Sequence, residues 1–328
     1  MIVGGRINAS DVVAIIGKTE GNGGVNDFTR GYFTQTLMAL LSVHLNRPAS
    51  QLIREIPCVL SGGTEGVMSP HYCVFCVSDD PAATRQYPKA LAIGTAFAPV
   101  TTGDVGRRAH VESVAAAVRQ AIANAGIEKT DDVHFVQVKC PCVTVARASA
   151  AIAAGKPPRT SDPNRSMAFA RAAGAFGVAL ALGEIESDSF SDDSLLADFT
   201  IQSPRASVSS GVEVESNEVI VLGNGLAWGG NLKIAHQPMV DALDIGGVYD
   251  VFADLDIKAS PQVSAGDAER IACVLVKCEP DRRGQVRGHR HTMLDDTDIN
   301  AQRHIRGAVA GLVAGVVGDS RIFVSGGA

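Results

Sequence analysis

The sequence predicts an α/β protein built from three homologous α/β repeat units around a pseudo-threefold axis, with one central active site. Three observations predict this. A short β-branched run ending in lysine occurs three times, an Ala/Gly-rich helical stretch with an arginine near its start follows each, and each helix leads into an apolar or small-residue run ending in serine and glycine. The units expected on this reading are 1–82, 88–233 and 245–328.

The lysine runs are "VVAIIGK" to Lys18, "VHFVQVK" to Lys139 and "IACVLVK" to Lys277. Each is short and β-branched, as a buried strand is. A lysine closing such a strand must be solvated or paired. Three in parallel contexts read as one recurring device.

The helical stretches are "RGYFTQTLMALLSVHL" from Arg30, "SMAFARAAGAFGVALAL" from Ser166 and "NAQRHIRGAVAGLVAGVV" from Asn300. Their apolar spacing of three and four, with many Ala and Gly, predicts close helix packing. The arginines near their starts are Arg30, Arg171 and Arg303. The serines are Ser61 in "CVLSGGTEG", Ser209 in "ASVSSGVEV" with Ser210 beside it, and Ser325 in "IFVSGGA".

Outer elements complete the units unevenly. A strand "ALAIGTAF" and a helix "VESVAAAVRQAIANAG", closed by Gly126, precede Lys139. A strand "GVYDVFADL" and the acidic "SAGDAER" precede Lys277. The strands "YCVFCV" and "EVIVLG" follow Ser61 and Ser209. The first unit therefore lacks its opening strand and the third its closing strand. Linkers fall at Ser78–Pro88 and Ala235–Asp244, and "IESDSFSDDS" is a polar loop with no assigned function.

Composition excludes several classes. The 29 basic and 35 acidic residues leave a net charge of −6, against a nucleic-acid or anionic-membrane partner. No apolar run reaches membrane-spanning length and the start carries no secretion signal, so cytoplasm is the expectation. The seven cysteines form no disulfide framework. Cys73 and Cys76 form a CxxC, but on a strand they face opposite ways, so the cysteines read as buried small hydrophobes. His289 and His291 read as a loop pair rather than metal ligands. "GKTEG" at Gly17–Gly21 lacks phosphate-loop spacing.

Brought together, three Ser, three Lys and three Arg form a site for carbonyl or anionic oxygens. Glycine after serine lets a ligand approach the backbone N–H groups. Arginine forks match oxygen pairs. A neutral lysine takes a serine proton, and burial with nearby cations keeps lysine neutral. A ligand with three similar carbonyl edges fits this symmetry.

At these residues the chain resembles the cyanuric acid hydrolase/barbiturase family of ring-opening amidases. The stretches carrying the resemblance are "GKTEGNGGVNDFTR" (17–30), "SGGTEGVMSPH" (61–71), "HFVQVKCP" (134–141), "GHRHTMLDDTDIN" (288–300) and "VSGGA" (324–328). The resemblance implies the pairs Lys18–Ser61, Lys139–Ser209 and Lys277–Ser325. It assigns catalysis to the second, with Lys139 as base, Ser209 as nucleophile, and Lys18 and Lys277 in support. Ser209 is taken over Ser210 by aligning "SSGVE" with "SGGTE". Arg30, Arg171 and Arg303 would grip ring carbonyls, and Ser61–Gly62, Ser209–Ser210 and Ser325–Gly326 would donate hydrogen bonds.

The implied activity is hydrolysis of cyanuric acid to carboxybiuret, which loses carbon dioxide to give biuret, with no cofactor for catalysis. Opening of barbituric acid, or binding without turnover, are the alternatives. The resemblance also implies a homotetramer. It places Glu279 at the side-chain ligand of a structural magnesium or calcium, completed in the family by a loop after "SGGA".

Overall fold

The computed structural model describes residues 1–79, 85–294, 297 and 299–326. The Ser78–Pro88 linker and the stretches at 288–300 and 324–328 therefore fall partly outside the described residues.

The first segment runs β1 (Val12–Thr19), α1 (Phe28–Leu45), α2 (Ala49–Leu52), β2 (Cys58–Gly62) and β3 (His71–Cys76). Its sheet has the order β2-β1-β3, with β2 parallel and β3 antiparallel to β1. β1 is almost wholly buried, which its unbroken apolar run "VVAIIG" requires of a central strand. α1 starts where the Asp27 side chain accepts from Thr29 N and stops at Asn46, a left-handed residue.

The second segment runs β4 (Ala90–Pro99), α3 (Arg108–Asn124), β5 (Val133–Pro141), α4 (Val145–Ala153), α5 (Pro163–Leu182), β6 (Ala206–Gly211) and β7 (Ser216–Gly225). The sheet order is β4-β7-β5-β6. α3 and α5 cover one face: α3 packs Val114 and Val118 on β4 and β7, and α5 packs Ala170 and Val178 on β5 and β6. The small residues of α5 permit this approach: a Cβ on Gly177 would lie 2.7 Å from Val114 Cβ. Gly126 takes φ +61° just past α3, as the sequence predicts.

The third segment runs α6 (Ile245–Asp254), α7 (Ala265–Ala268), β8 (Leu275–Cys278), the short hairpin β9 (Gln285–Val286) and β10 (His289–Arg290), α8 (Ala301–Val317) and β11 (Phe323–Gly326). β11 pairs in parallel with β8. Here the structure corrects the sequence reading twice. "GVYDVFADL", expected as a strand, lies largely in helix α6, which buries Val248 and Phe252 four residues apart. Its β-branched content suggested a strand, but its burial follows the helical period. "IACVLVK" becomes strand only at Leu275.

The cysteines are all free. Cys58, Cys140 and Cys142 are buried as expected, whereas Cys76 is exposed on β3. His289 is exposed on β10, and His291 Nε2 pairs with the Asp281 carbonyl. Among the described residues no helix is long and apolar enough to cross a membrane.

The three lysine strands share one feature that positions the site. Each pairs in parallel with the serine strand of its own segment, and the Cα partners are Lys18 with Ser61, Lys139 with Ser209 and Lys277 with Ser325. A helix connects each pair, as a parallel pairing demands.

Candidate active site

The lysines tie the three segments together. Lys18 Nζ donates to the Val324 carbonyl at 2.8 Å, Lys139 Nζ to Leu60 at 3.0 Å, and Lys277 Nζ to Val208 at 3.0 Å. Each acceptor is the residue before a serine. The first segment thus reaches the third, the second the first, and the third the second. Burying a lysine requires such partners, and here they draw Ser61, Ser209 and Ser325 to one place.

That place is a small polar pocket. Ser61, Ser209, Ser210 and Ser325 line it with Gly62, Gly326 and Lys139. Arg30, Arg171 and Arg306 close it from the helices, joined by Gly23, Leu60, Met167 and Gln302. Ser209 and Ser210 both present buried hydroxyls that make no hydrogen bond among the described residues. The predicted arginine Arg303 is not among the lining residues. It is half exposed and donates to the Asn22 carbonyl. Arg306, three residues on, takes the place expected for it. The buried stripe of α8 runs through Ile305, Arg306, Val309, Ala310 and Val313, which turns Arg303 outward.

The lysines differ in their surroundings. Lys18 Nζ also lies 3.2 Å from Ser61 Oγ, inside hydrogen-bond reach. Burial and then Arg306 lower its pKa to about 7, with Glu65, Cys278 and Asp27 opposing. Lys139 Nζ forms an ion pair with Glu213 Oε1 at 2.7 Å. Burial lowers its pKa and Glu213 acts against that. Lys277 is lowered to about 8, chiefly by burial, and lies 3.7 Å from Glu279.

Several carboxyl groups shape the site and were not singled out from sequence. Glu65 forks onto Arg306, with Oε2 at 2.9 Å from Nε and Oε1 at 2.5 Å from Nη2. Glu213 Oε1 also meets Arg30 Nε at 2.7 Å, and Asp27 Oδ2 meets Arg30 Nη1 at 3.1 Å. Each glutamate thus pairs with the arginine of another segment. Burial pushes Glu213 up, but Lys139 and Arg30 outweigh it and bring the carboxyl down to about 2. Glu218, opposite Lys139 on β7, is pushed up to about 8 by burial. The signal for Glu65 and Glu213 was present: "SGGTE" and "SSGVE" both carry glutamate four residues after serine.

Glu279 does not fit a hard divalent cation here. Its carboxylate faces Lys277 at 3.7 Å and Arg282 at 3.9 Å. Among the described residues no group of three or more His, Cys, Asp or Glu converges on a common point. Magnesium and calcium need several oxygen ligands, and a lone carboxylate beside two cations does not supply them.

The chain matches the family described as amidohydrolase ring-opening protein over residues 1–328. It is 47% identical over 327 residues to a cyanuric acid amidohydrolase of Azorhizobium caulinodans, covering 99% of this chain and 88% of the relative. It is 46% identical to a cyanuric acid amidohydrolase of Bradyrhizobium sp. (strain ORS 375), covering 100% of this chain and 88% of that one. A solved cyanuric acid hydrolase structure superposes with a TM-score of 0.94 at 43% identity, covering 100% of this chain and 89% of the other. A second, from A. caulinodans, gives 0.88 at 46% identity, covering 99% and 88%.

Proposed function

The chain belongs to the family of amidohydrolase ring-opening proteins, and from that premise we propose that it is a cyanuric acid amidohydrolase, acting on one C–N bond of the cyclic amide. The observation that carries the chemistry is the Lys18 Nζ–Ser61 Oγ contact of 3.2 Å at a pocket lined by three arginines. Cyanuric acid alternates three carbonyls with three ring nitrogens, so three arginines and three serines meet chemically equivalent edges. A pseudo-threefold arrangement of the segments is supported by the cyclic order of the lysine–carbonyl bonds.

In this reading neutral Lys18 takes the proton of Ser61 Oγ as the oxygen attacks a ring carbonyl. Arginine and backbone N–H donors stabilise the oxyanion. The ring C–N bond breaks, the leaving nitrogen takes the proton, and an acyl-serine forms. One water then cleaves that ester, giving carboxybiuret, which loses carbon dioxide to give biuret. No step needs a cofactor. The second reading, implied by the family resemblance, makes Lys139 the base and Ser209 the nucleophile. It is favoured by their Cα pairing and by the unpartnered Ser209 hydroxyl.

The test follows ultraviolet absorbance of cyanuric and barbituric acids with purified wild type, Ser61→Ala, Lys18→Ala, Ser209→Ala and Lys139→Ala. Loss of cyanuric acid, with kcat down about 10³-fold or more in Ser61→Ala and Lys18→Ala, supports the first reading. A comparable loss in Ser209→Ala and Lys139→Ala, with Ser61→Ala active, selects the second. Consumption of barbituric acid alone moves the chain to the sister activity. A cooperatively folded wild type that consumes neither would remove the ring-opening assignment.

We also propose self-association, a homotetramer by family resemblance. Phe28, Tyr32 and Val43 stand exposed on α1, as a helix buried between copies would place them. Light scattering after size exclusion reads this directly, and a monomer at working concentration would overturn it.

A further inference from the structure

We propose that the pocket takes its ring as an anion, with one imide N–H proton already lost, and that Arg171 holds the charged edge while Arg30 and Arg306 hold neutral ones. This deepens the ring-opening reading and rests on it, and it holds for either lysine–serine pair.

The three arginines line one pocket but are not alike. Arg30 is neutralised twice. Its Nε meets Glu213 at 2.7 Å, Nη1 meets Asp27 at 3.1 Å, and Nη2 donates to the Gly24 carbonyl at 3.0 Å. Arg306 is neutralised once, in the fork of Glu65. Arg171 is only 7% exposed, and its Nε makes no hydrogen bond among the described residues. It forms no ion pair among them either. Burial lowers its pKa, and Arg306 and Arg282 act in the same direction. It stays charged all the same, because a guanidinium is not deprotonated in a protein.

The groups facing Arg171 do not supply the missing charge. From β5 comes the Cys140 thiol, which burial pushes up to about 12, so it is neutral. From β8 and the stretch after it come Lys277, Glu279 and Arg282, and from α8 comes Arg306. Glu279 is the single carboxylate in that set. It lies 3.7 Å from Lys277 and 3.9 Å from Arg282, so its charge is already shared between two cations. Met167, one helical turn before Arg171 on α5, adds an apolar wall to the pocket.

A buried charge without a partner is costly. A ligand of opposite charge offsets that cost, and a neutral one does not. Cyanuric acid can bring the charge, since each ring N–H lies between two carbonyls. Loss of that proton spreads one negative charge over two oxygens, and a guanidinium fork matches such a pair. At Arg30 the same charge would meet Asp27 and Glu213, and at Arg306 it would meet Glu65. Charge therefore sorts three edges that shape alone leaves equivalent.

The experiment is calorimetric binding of cyanuric acid, in whichever of Ser61→Ala and Ser209→Ala abolishes turnover. Titrations run on both sides of the ring's first ionisation, in two buffers of different ionisation enthalpy, so that protons released to buffer are counted. In that background about one proton per ring should be released on the acid side and none on the alkaline side. Arg171→Gln should abolish the release and weaken binding of the ionised ring by about 30-fold or more. Arg171→Lys, which keeps the charge, should keep the release. Arg30→Gln and Arg306→Gln should weaken binding and keep it too. No release in the background, release that survives Arg171→Gln, or equal loss in all three glutamine variants overturns the proposal.

A second readout needs no ligand. Arg171→Met removes an unpartnered charge, so its melting temperature should equal or exceed that of wild type. Arg30→Met and Arg306→Met strand carboxylates and should melt lower. A lower melting temperature for Arg171→Met would mean that its guanidinium is paired in the folded protein, against the proposal. Wild type that neither binds nor opens cyanuric or barbituric acid would fail the underlying reading. Turnover with proton release independent of Arg171 fails only the role given to Arg171.

Discussion

Lys18 and Val324 are 306 positions apart, yet Lys18 Nζ donates to the Val324 carbonyl at 2.8 Å. One bond thus couples β1 to β11 and seats Ser325 beside Ser61 across the pocket. It also uses one Lys18 proton while leaving Nζ within reach of Ser61 Oγ. Lys18 is thus one of three lysines that tie the segments together, and its amine stands beside a serine of the pocket.

Arg306 and Arg303 should separate cleanly on substitution. Arg306 lines the pocket and is gripped by Glu65, whereas Arg303 is half exposed. Arg306→Ala should lower kcat/KM for cyanuric acid by about 10²-fold or more, as loss of a charged donor at a reacting oxygen does. Arg303→Ala should stay within about threefold of wild type, since surface changes rarely cost more than about 0.5 kcal/mol. Steady-state kinetics on the two proteins decides it. Equal losses would place Arg303 at the substrate after all.

His110 should make the protein acid-labile well before its carboxylates do. Its Nδ1 accepts from Gly106 N at 3.2 Å, so Nε2 carries the hydrogen that Asn217 Oδ1 accepts at 2.8 Å. A second ring proton would face an N–H in a site closed to water. Burial lowers its pKa to about 4, below the ordinary 6.5. Between those values the unfolded chain binds the extra proton and the folded one does not. Stability should therefore fall as pH drops from 6.5 to 4, by on the order of 3 kcal/mol. Urea midpoints across that window measure it. His110→Gln should reduce the slope in this window even if it is less stable throughout, leaving the share of His134, which burial also lowers to about 4.

What the sequence made legible follows from period and repetition. The runs ending in Lys18 and Lys139 are strands as read, and all three lysines pair with the expected serines. Nearness to a helix start points to Arg303, whereas the buried stripe of α8 passes through Arg306 and leaves Arg303 outside. Glu65 and Glu213 stand in aligned stretches, four residues after their serines, but that spacing alone does not say that each reaches an arginine of another segment. The lysine–carbonyl bonds were not legible at all. They join residues 69 to 306 positions apart, and no local spacing encodes which segment lies against which.

Lys18 should reveal itself in alkaline stability as well as in turnover. Burial, with Arg306, brings its pKa from 10.5 to about 7 in the folded chain. Between those values the unfolded chain holds a proton that the folded one has released. Unfolding free energy should then rise with pH, and Lys18 contributes at most on the order of 5 kcal/mol across the window. Lys18→Met, which keeps the length and removes the charge, should lose that part of the rise. The comparison is made by denaturant unfolding at pH 7 and pH 10. A Lys18→Met slope equal to wild type would mean that Lys18 keeps its proton in the folded protein.

Gly177→Ala tests the close packing that the Ala/Gly pattern of α5 predicts. In an open helix the exchange would stabilise by about 1 kcal/mol through helix propensity. Here the new Cβ would lie 2.7 Å from Val114 Cβ and 2.8 Å from the Val111 carbonyl oxygen. The carbonyl is backbone, so α3 itself must shift, and α3 is held against β4 and β7 through Val114, Ala117, Val118 and Ala121. Overpacking of this kind costs about 1–3 kcal/mol, which outweighs the propensity gain. The expected result is net destabilisation by thermal or denaturant unfolding. Gly311→Ala on α8 is the control, because nothing lies within 4 Å of its added Cβ, and it should be neutral or stabilising. Equal behaviour of the two would mean that α3 and α5 are not in the tight contact described.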